Sequence, residues 1–589
     1  MLIIACSTPQ TKKHDTPLIQ TQQPTLDPEA LISQAISAQD PALKSALYLQ
    51  AANIYWENHL KAQTSAALTT INPGSLSHED LQKYLLLTLK LGLFEENTHK
   101  LEMVLPLLSN QAFNQASIEQ QVEFTQLLSK AYQITGNPIQ AAIVLIENAG
   151  LFSGDSYLSN HETIWSQLRK TDLAQLAQYQ YFGKNIDVKG WLTLAQSIKQ
   201  NQINLEAQFT ALTQWNNEWP NHPATLLPPH ELEILIQLPT TQPTKITLAL
   251  PLSGPIADAG KAIRDGFMAS YFNTPSTLGS DIEIQFFDTH THNIEDLYQR
   301  TEQKSALIIG PLDKNSLNQL TQLEQLNTNT LALNYLDDTE KTIENLFQFG
   351  LSPETETKQI AQRLNHKNLK KVGVIAPESN WGFRLHDSFY QNLNLENGTL
   401  IESAFYSDQA SLSETVAKLL ATDTSKARAK KIRAITKTRF EFQPRRRKDI
   451  DAILMIAKPK TAKQINPLFS YHYADSIPIF STSQVHTKDN NNDLEGIEFI
   501  EMPWMLSSTI DIKNQLHEII PESSQKYTRF YALGVDAFKL APRLTLLKEV
   551  SDSQINGQTG TLSMNSYGHI SRVMEWAKFR KGKTISIQE

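Results

Sequence analysis

The stretch Lys245–Phe272, KITLALPLSGPIADAGKAIRDGFMASYF, constrains the fold more than any other part of this chain. Ile246, Leu248, Ala249, Leu250 and Leu252 form a short continuous apolar run, the pattern of a parallel strand buried on both faces. Ser253-Gly254-Pro255 breaks the run and Gly260 follows. Ile263, Phe267 and Tyr271 then recur every fourth residue, which predicts a helix with one apolar stripe from Lys261 onward. A strand, a small-residue turn and a helix leave unpaired backbone N–H groups at the helix start. These face the carboxyl edge of the sheet, where α/β proteins hold ligands. Gly254, Gly260 and Gly266 fit neither G-x-G-x-x-G nor G-x-x-x-x-G-K-[ST], so dinucleotide and P-loop readings fail.

Strands and helices alternate from Lys245 to the end. Further strands are expected at Ile282–Phe287, Ala306–Gly310, Thr330–Asn334, Phe347–Leu351, Lys371–Ala376, Leu400–Tyr406, Asp451–Ala457, Ile477–Thr482 and Gly496–Met502. Helical patterns fall between most of them, the signature of parallel sheet, and their number suits two lobes. Before Lys245 the pattern is helical only. Pro28 and Asp40-Pro41 are placed to open helices. Blocks follow at Glu79–Leu91, Leu101–Leu108, Ile118–Ile134, Ile139–Glu147, Leu173–Tyr179, Trp191–Lys199 and Leu205–Trp219. The span Ala131-Tyr132-x-x-x-Gly136-Asn137-x-x-x-Ala141-Ala142 has the turn of a tetratricopeptide repeat, a glycine ending one helix and small alanines admitting its partner. Trp191, Trp215 and Trp219 fall in apolar helical patterns and are expected in the core.

These patterns predict a multidomain chain. A helical TPR-like domain spans 27–238, a polar hinge with Pro239 spans 239–244, and an α/β domain of two lobes spans 245–589. Residues 7–26 are rich in Thr, Gln, Pro and Lys and read as a linker, because they cannot bury enough apolar surface to order themselves. Composition excludes little, and a net charge of −8 favours solubility over a polyanionic partner. The single cysteine, Cys6, rules out an intramolecular disulfide and a cysteine-held zinc or iron–sulfur centre. Leu2-Ile3-Ile4-Ala5-Cys6 matches the end of a bacterial lipoprotein signal, with the preceding part expected to be truncated. No later segment is long and apolar enough to span a bilayer.

The opening LPLSGPIADAGKAIRDGFMASYF resembles that of type I periplasmic binding proteins, and its A-I-R-D-G-F form resembles the LpoA (YraM) lipoproteins that activate penicillin-binding proteins. Ile309-Gly310-Pro311-Leu312, Arg445-Arg446-Arg447-Lys448-Asp449-Ile450-Asp451-Ala452 and Tyr531-Ala532-Leu533-Gly534-Val535-Asp536-Ala537 are similar to that family in order and spacing. So are Gly557-x-x-Gly560-x-Leu562-Ser563 and Trp576-Ala577-x-Phe579. The resemblance implies a type I periplasmic-binding-protein-like domain whose chain crosses between lobes three times. It also implies acylation of Cys6, and Ser7 after that cysteine points to the outer membrane. The implied role is non-enzymatic: binding and activating a class A penicillin-binding protein of the 1A type, with no cofactor and no known small ligand. The alternative is a solute-binding lipoprotein that delivers an amino acid or amide to a transporter.

The residues themselves offer no G-x-S-x-G, no H-E-x-x-H and no cysteine away from the terminus, so no catalytic set is expected. His290-x-His292 reads as two exposed loop histidines rather than a metal site, since no further ligand can be assigned. In a transport-type binding protein Ser253, Gly254 and nearby amides would hold a carboxylate. The run from Lys426 to Lys448 includes Lys430, Lys431, Arg433, Arg445, Arg446 and Arg447 against one acid, Glu441. In an exported protein such a run suits an acidic partner protein better than nucleic acid.

Overall fold

A computed structural model describes residues 27–108, 117–180, 185–201, 205–274, 282–300, 306–323, 326–337, 341–487, 492–520, 526–550 and 553–587. Cys6 and the linker through residue 26 lie outside the described residues. The chain forms two compact units, Met1–Ala195 and Gln196–Glu589.

In the first unit, helices form where the sequence places caps and apolar stripes. Asp27 and Asp40 accept the backbone N–H of Glu29 and Ala42, opening the helices Pro28–Ser37 and Pro41–Glu57. The TPR-like turn joins Ile118–Ile134 to Pro138–Glu147. Gly136 takes φ +72°, and the Asn137 N–H reaches back to the Tyr132 carbonyl at 2.8 Å. Ala141 and Ala142 are fully buried, which lets Ser129 Oγ donate to the Ala141 carbonyl across the helix pair at 3.1 Å. A helix that the apolar pattern does not predict, Asp155–Lys170, buries Asn160, His161 and Gln167 beside Ile164, Trp165 and Leu168.

In the second unit, the helix Leu205–Glu218 is tied to the α/β part by Arg543 Nη2, which donates to Gln208 Oε1 at 3.2 Å. Trp215 is buried and Trp219, half-buried, stacks near it. The helix His230–Thr241 runs through Pro239, so the expected hinge is shorter than 239–244. Only Gln242–Thr244 separate that helix from the first strand.

The strands are β1 Lys245–Leu250, β2 Glu283–Asp288, β3 Ala306–Ile309, β4 Asn329–Ala332, β5 Leu346–Phe349, β6 Lys371–Pro377, β7 Thr399–Tyr406, β8 Ala452–Met455, β9 Ile479–Ser481 and β10 Glu498–Glu501. Five more follow: β11 Gln554–Asn556, β12 Thr561–Met564, β13 His569–Val573, β14 Glu575–Arg580 and β15 Lys583–Ile587. One sheet has the order β11-β12-β13-β5-β4-β3-β1-β2 and the other β15-β14-β10-β9-β8-β6-β7. The first ten pair in parallel, and β11, β12, β14 and β15 add antiparallel edges that the purely parallel expectation omits. The chain changes sheet between β5 and β6, between β10 and β11, and between β13 and β14, three crossings in all. Each lobe has its own core, with Ile246, Leu248 and Leu250 of β1 in one and Ile453 and Met455 of β8 in the other.

Candidate functional site

The turn after β1 places Ser253 and Gly254 at the carboxyl edge of the first sheet, as expected. The Ser253 hydroxyl and the Leu252 N–H are already used. Asp288, the last residue of the neighbouring β2, accepts from Ser253 Oγ at 2.6 Å, from the Leu252 N–H at 3.0 Å and from the His290 N–H at 3.1 Å. Partial burial pushes the Asp288 carboxyl up, but these donors outweigh it and hold the group below the usual carboxylate range. A Cβ at Gly254, whose φ is +78°, would lie 2.5 Å from His290 Nε2. An internal carboxylate thus takes up the Ser253 hydroxyl and the Leu252 N–H, donors that the sequence reading offered to a ligand's carboxylate. His290 and His292 are exposed, and no group of three or more metal-ligating side chains occurs among the described residues.

The family motifs prove to be packing devices. The helix Ala257–Phe272, carrying A-I-R-D-G-F, crosses Thr528–Leu540, carrying Y-A-L-G-V-D-A. A Cβ built on Gly266 would lie 2.1 Å from the Tyr531 carbonyl oxygen, and one on Gly534 would lie 2.0 Å from that of Ile263. Only glycines allow backbones this close. Asp536 of the same motif is fully buried. It accepts from the Gln558 N–H at 2.6 Å, the Thr559 N–H at 2.7 Å and Thr559 Oγ1 at 2.6 Å, and so holds the Gly557–Gly560 turn. Burial pushes the Asp536 carboxyl up, while Lys539 and these donors act against it. On β14, Phe579 stacks on Phe499 at 4.7 Å and Trp576 carries the Arg363 guanidinium over its ring at 4.6 Å.

Where the chain crosses between lobes, buried polar contacts clamp it. Glu356 on the first crossing accepts from the N–H and Oγ of Ser483, both at 2.8 Å. Gln359 exchanges two hydrogen bonds with the Met574 backbone of the third crossing, at 2.6 and 3.1 Å. On the second, the Trp504 N–H donates to the Gln558 carbonyl at 3.0 Å. Glu501 is fully buried, with His486 Nδ1 at 2.7 Å and Arg529 beside it. Burial alone would raise its carboxyl, yet the His486 hydrogen bond and the Arg529 charge hold it low. Beside these crossings lies a cavity of about 1210 Å³, bordered by Asn334, Tyr335, Lys358, Phe530, His569 and Arg572.

The basic run divides in two. Arg446 donates from Nε to the Tyr473 carbonyl at 2.7 Å and from Nη2 to Ser476 Oγ at 3.1 Å. Arg447 forks onto Asp449 at 2.8 and 3.0 Å and reaches Glu402 at 3.1 Å. Both are spent inside the lobe. Lys430, Lys431 and Arg433, on the helix Thr422–Thr436, are exposed, as is Arg445. Arg433 turns back over the Phe440 ring at 5.0 Å. Ser425 and Ala429 are buried against the lobe, but the next residues of that stripe, Ile432 and Ile435, are 50% and 78% exposed.

A chain that visits two mainly parallel sheets in this order has the type I periplasmic-binding-protein fold, preceded here by a TPR-like helical array. The chain belongs to the LppC putative lipoprotein family, which matches residues 21–582. A relative from Vibrio vulnificus, named penicillin-binding protein activator LpoA, is 26% identical over 584 residues, 98% of this chain and 96% of its own. One of the same name from Aliivibrio fischeri is 26% identical over 485 residues, 81% of this chain and 80% of its own. The crystal structure of LpoA from Haemophilus influenzae superposes with a TM-score of 0.59 at 21% identity, covering 95% of this chain and 98% of that one.

Proposed function

We propose that this protein is a lipoprotein that binds a class A penicillin-binding protein of the 1A type and activates its transpeptidase, without catalysing a reaction itself. The observation that carries the reading is the near full-length match to a relative named penicillin-binding protein activator LpoA. The anchor is Cys6, acylated and inserted in the outer membrane. Among the described residues no helix is long and apolar enough to cross a membrane, consistent with attachment by acyl chains. The linker and helical array would carry the α/β domain toward the synthase. The exposed Lys430, Lys431, Arg433 and Arg445 offer a positive face to an acidic surface on that partner. Activation requires tighter binding to the competent conformation of the synthase, and each tenfold of preference is worth about 1.4 kcal/mol.

Delivery of a solute to a transporter is the weaker reading, because the turn that would anchor the solute is filled by Asp288. The test is a pull-down and cross-linking assay with a purified cognate synthase. The full chain is expected to bind and to raise peptide cross-linking, and the triple variant Lys430→Glu, Lys431→Glu, Arg433→Glu to bind at least tenfold more weakly. A chain that neither binds nor stimulates the synthase rejects the reading. A Cys6→Ser variant that still fractionates with the outer membrane rejects the anchor.

A further inference from the structure

The helix Thr422–Thr436 is seated at one end and bare at the other. Thr422, Ser425 and Ala429 are buried, Thr422 Oγ1 pairs with His472 Nδ1 at 2.8 Å, and Ser425 Oγ accepts the Arg445 N–H at 3.0 Å. From Lys430 to Arg439 ten consecutive residues are exposed. The stripe does not turn polar where the lobe ends, because it continues to Ile432, 50% exposed, and Ile435, 78% exposed. β-Branched apolar residues weaken a helix end and gain nothing from burial while they face water. At i,i+3 spacing these two form one ridge. Arg428 stands one turn before Ile432 and Lys431 one turn before Ile435, and Asp423 and Glu441 are the only acids between Thr422 and Lys448. The segment after the helix is braced, since Arg433 Nη2 donates to the Phe440 carbonyl at 3.1 Å and its guanidinium lies over the Phe440 ring.

We infer that Ile432 and Ile435 are the core of the contact with the synthase, entering an apolar groove with an acidic rim, while the cations around them guide the approach. This rests on the activator reading and names what the positive face takes hold of. An apolar centre ringed by charge is the anatomy of a protein contact, in which a few buried side chains hold the complex and the rim excludes water. The ring is almost wholly positive, so the groove that accepts the ridge is edged with carboxylates. A bilayer is the poorer fit. Helices that lie in a membrane surface present a continuous apolar face carrying Trp, Phe or Leu, whereas here two isoleucines stand alone among cations. Exposed cations act mainly on the rate of encounter and are screened by salt, so the isoleucines set the rate of release.

Interferometry with the full chain and a purified cognate synthase reads both rates. The double variant Ile432→Ser, Ile435→Ser is expected to bind at least tenfold more weakly, through faster release, and to keep that deficit from about 0.1 to about 0.5 M salt. Lys430→Glu with Lys431→Glu is expected to slow association instead, with a deficit that shrinks over the same range. Both isoleucines are exposed, so the circular dichroism spectrum of the serine variant should match the parent, and Ile432→Leu with Ile435→Leu should restore binding. A serine variant that binds within about twofold of the parent overturns the inference and leaves the activator reading standing. A parent chain that does not bind the synthase removes both. Vesicles of phosphatidylglycerol and phosphatidylethanolamine, and sedimentation of the chain alone, cover the other occupants. Should the serine variant lose vesicle binding or self-association while it still binds the synthase as the parent does, the ridge belongs to a membrane or a second copy and the inference is overturned.

Discussion

Replacing Gly266 by alanine tests the contact on which the first lobe is built. The new Cβ would lie 2.1 Å from the Tyr531 carbonyl oxygen, 2.8 Å from its carbon and 2.9 Å from its Cα. Carbon and carbonyl oxygen approach no closer than about 3.3 Å, so the helices Ala257–Phe272 and Thr528–Leu540 must part by roughly 1 Å. All three neighbours are backbone atoms, and no side chain can swing aside. Parting the helices loosens Phe267, whose ring meets Phe538 edge-on at 5.2 Å in the lobe core. Overpacking of this kind costs about 1–3 kcal/mol, while alanine recovers about 0.5–1 kcal/mol of helix propensity. The net loss is therefore about 1–2 kcal/mol. Gly534→Ala meets the Ile263 carbonyl oxygen at 2.0 Å and has the same expected cost. Because both substitutions strain one crossing, the double variant is expected to lose less than the sum. Gly150→Ala is the control, having nothing within 4 Å of its Cβ. Hydrogen exchange in denaturant, followed by mass spectrometry on peptides covering 246–272, reads the local stability of the lobe. A Gly266→Ala protein as stable as the unaltered one, or additive losses in the double variant, would refute the close crossing.

Asp536→Asn leaves a single acceptor oxygen for three donors, two of them backbone N–H groups, and is expected to cost about 2–3 kcal/mol. Limited proteolysis at 557–560 should accelerate, and unchanged cleavage would argue against the clasp. In the basic run, Arg447→Ala removes contacts to Asp449 and Glu402 and should lower stability by about 1 kcal/mol in a urea titration. Lys430→Glu should stay within about 0.5 kcal/mol of the parent, and the reverse ranking would mean the run is misassigned. His472 and His569 are buried, and burial pulls both imidazoles below their ordinary value. The unfolded chain therefore takes up protons near pH 6.5 that the folded chain refuses, so the contribution of these two histidines to stability rises with pH through that window and is lost as pH falls below about 6.5. Glu501 and Asp288, held low, withdraw their contribution only below about pH 4.5, so the two effects separate. The buried Asp536 and Glu356 carboxyls, pushed up, slope the other way, so the histidine share is read as the difference between the parent and a His472→Gln variant, and equal pH slopes of the urea midpoint from about pH 7.5 to 5.5 in the two would contradict the histidine burial.

Strands buried on both faces were legible because they are continuous apolar runs. β1, β3, β6 and β8 were expected at nearly their observed bounds. β11 to β15 were not read as strands, since exposed or half-buried positions interrupt each of them. Ser571 and Val573 face out between buried Ile570 and Arg572, which leaves no apolar run. The Asp155–Lys170 helix escaped for a related reason, because three of its six buried residues are polar. Ser253 was recognised as an anchor, but its partner Asp288 lies 35 residues away and no local pattern pairs them. The burial of Arg572 depends on where β13 joins β5, a pairing of distant segments. The basic run was read as one block. Its division into Arg446 and Arg447, spent within the lobe, and the exposed Lys430, Lys431 and Arg433 depends on acceptors at Tyr473, Ser476, Asp449 and Glu402.

The filled anchor and the clamped crossings bear on one another. A receptor that closes on its solute needs free donors at the first turn and a hinge whose bonds survive bending. Here Ser253 and the adjoining amides hold Asp288, which competes from within the same fold and so at an effective concentration no free solute matches. Glu356, Gln359 and Trp504 tie the crossings through bonds that include a buried carboxylate, and bending that broke the Glu356 contacts would leave its charge without donors at a cost of several kcal/mol. The two lobes are therefore expected to keep their places whatever solute is offered to them. The expected signature is small-angle scattering unchanged by a panel of amino acids and sugars. A ligand-induced contraction of the α/β part would show that the clamp yields and that the receptor motion has been retained.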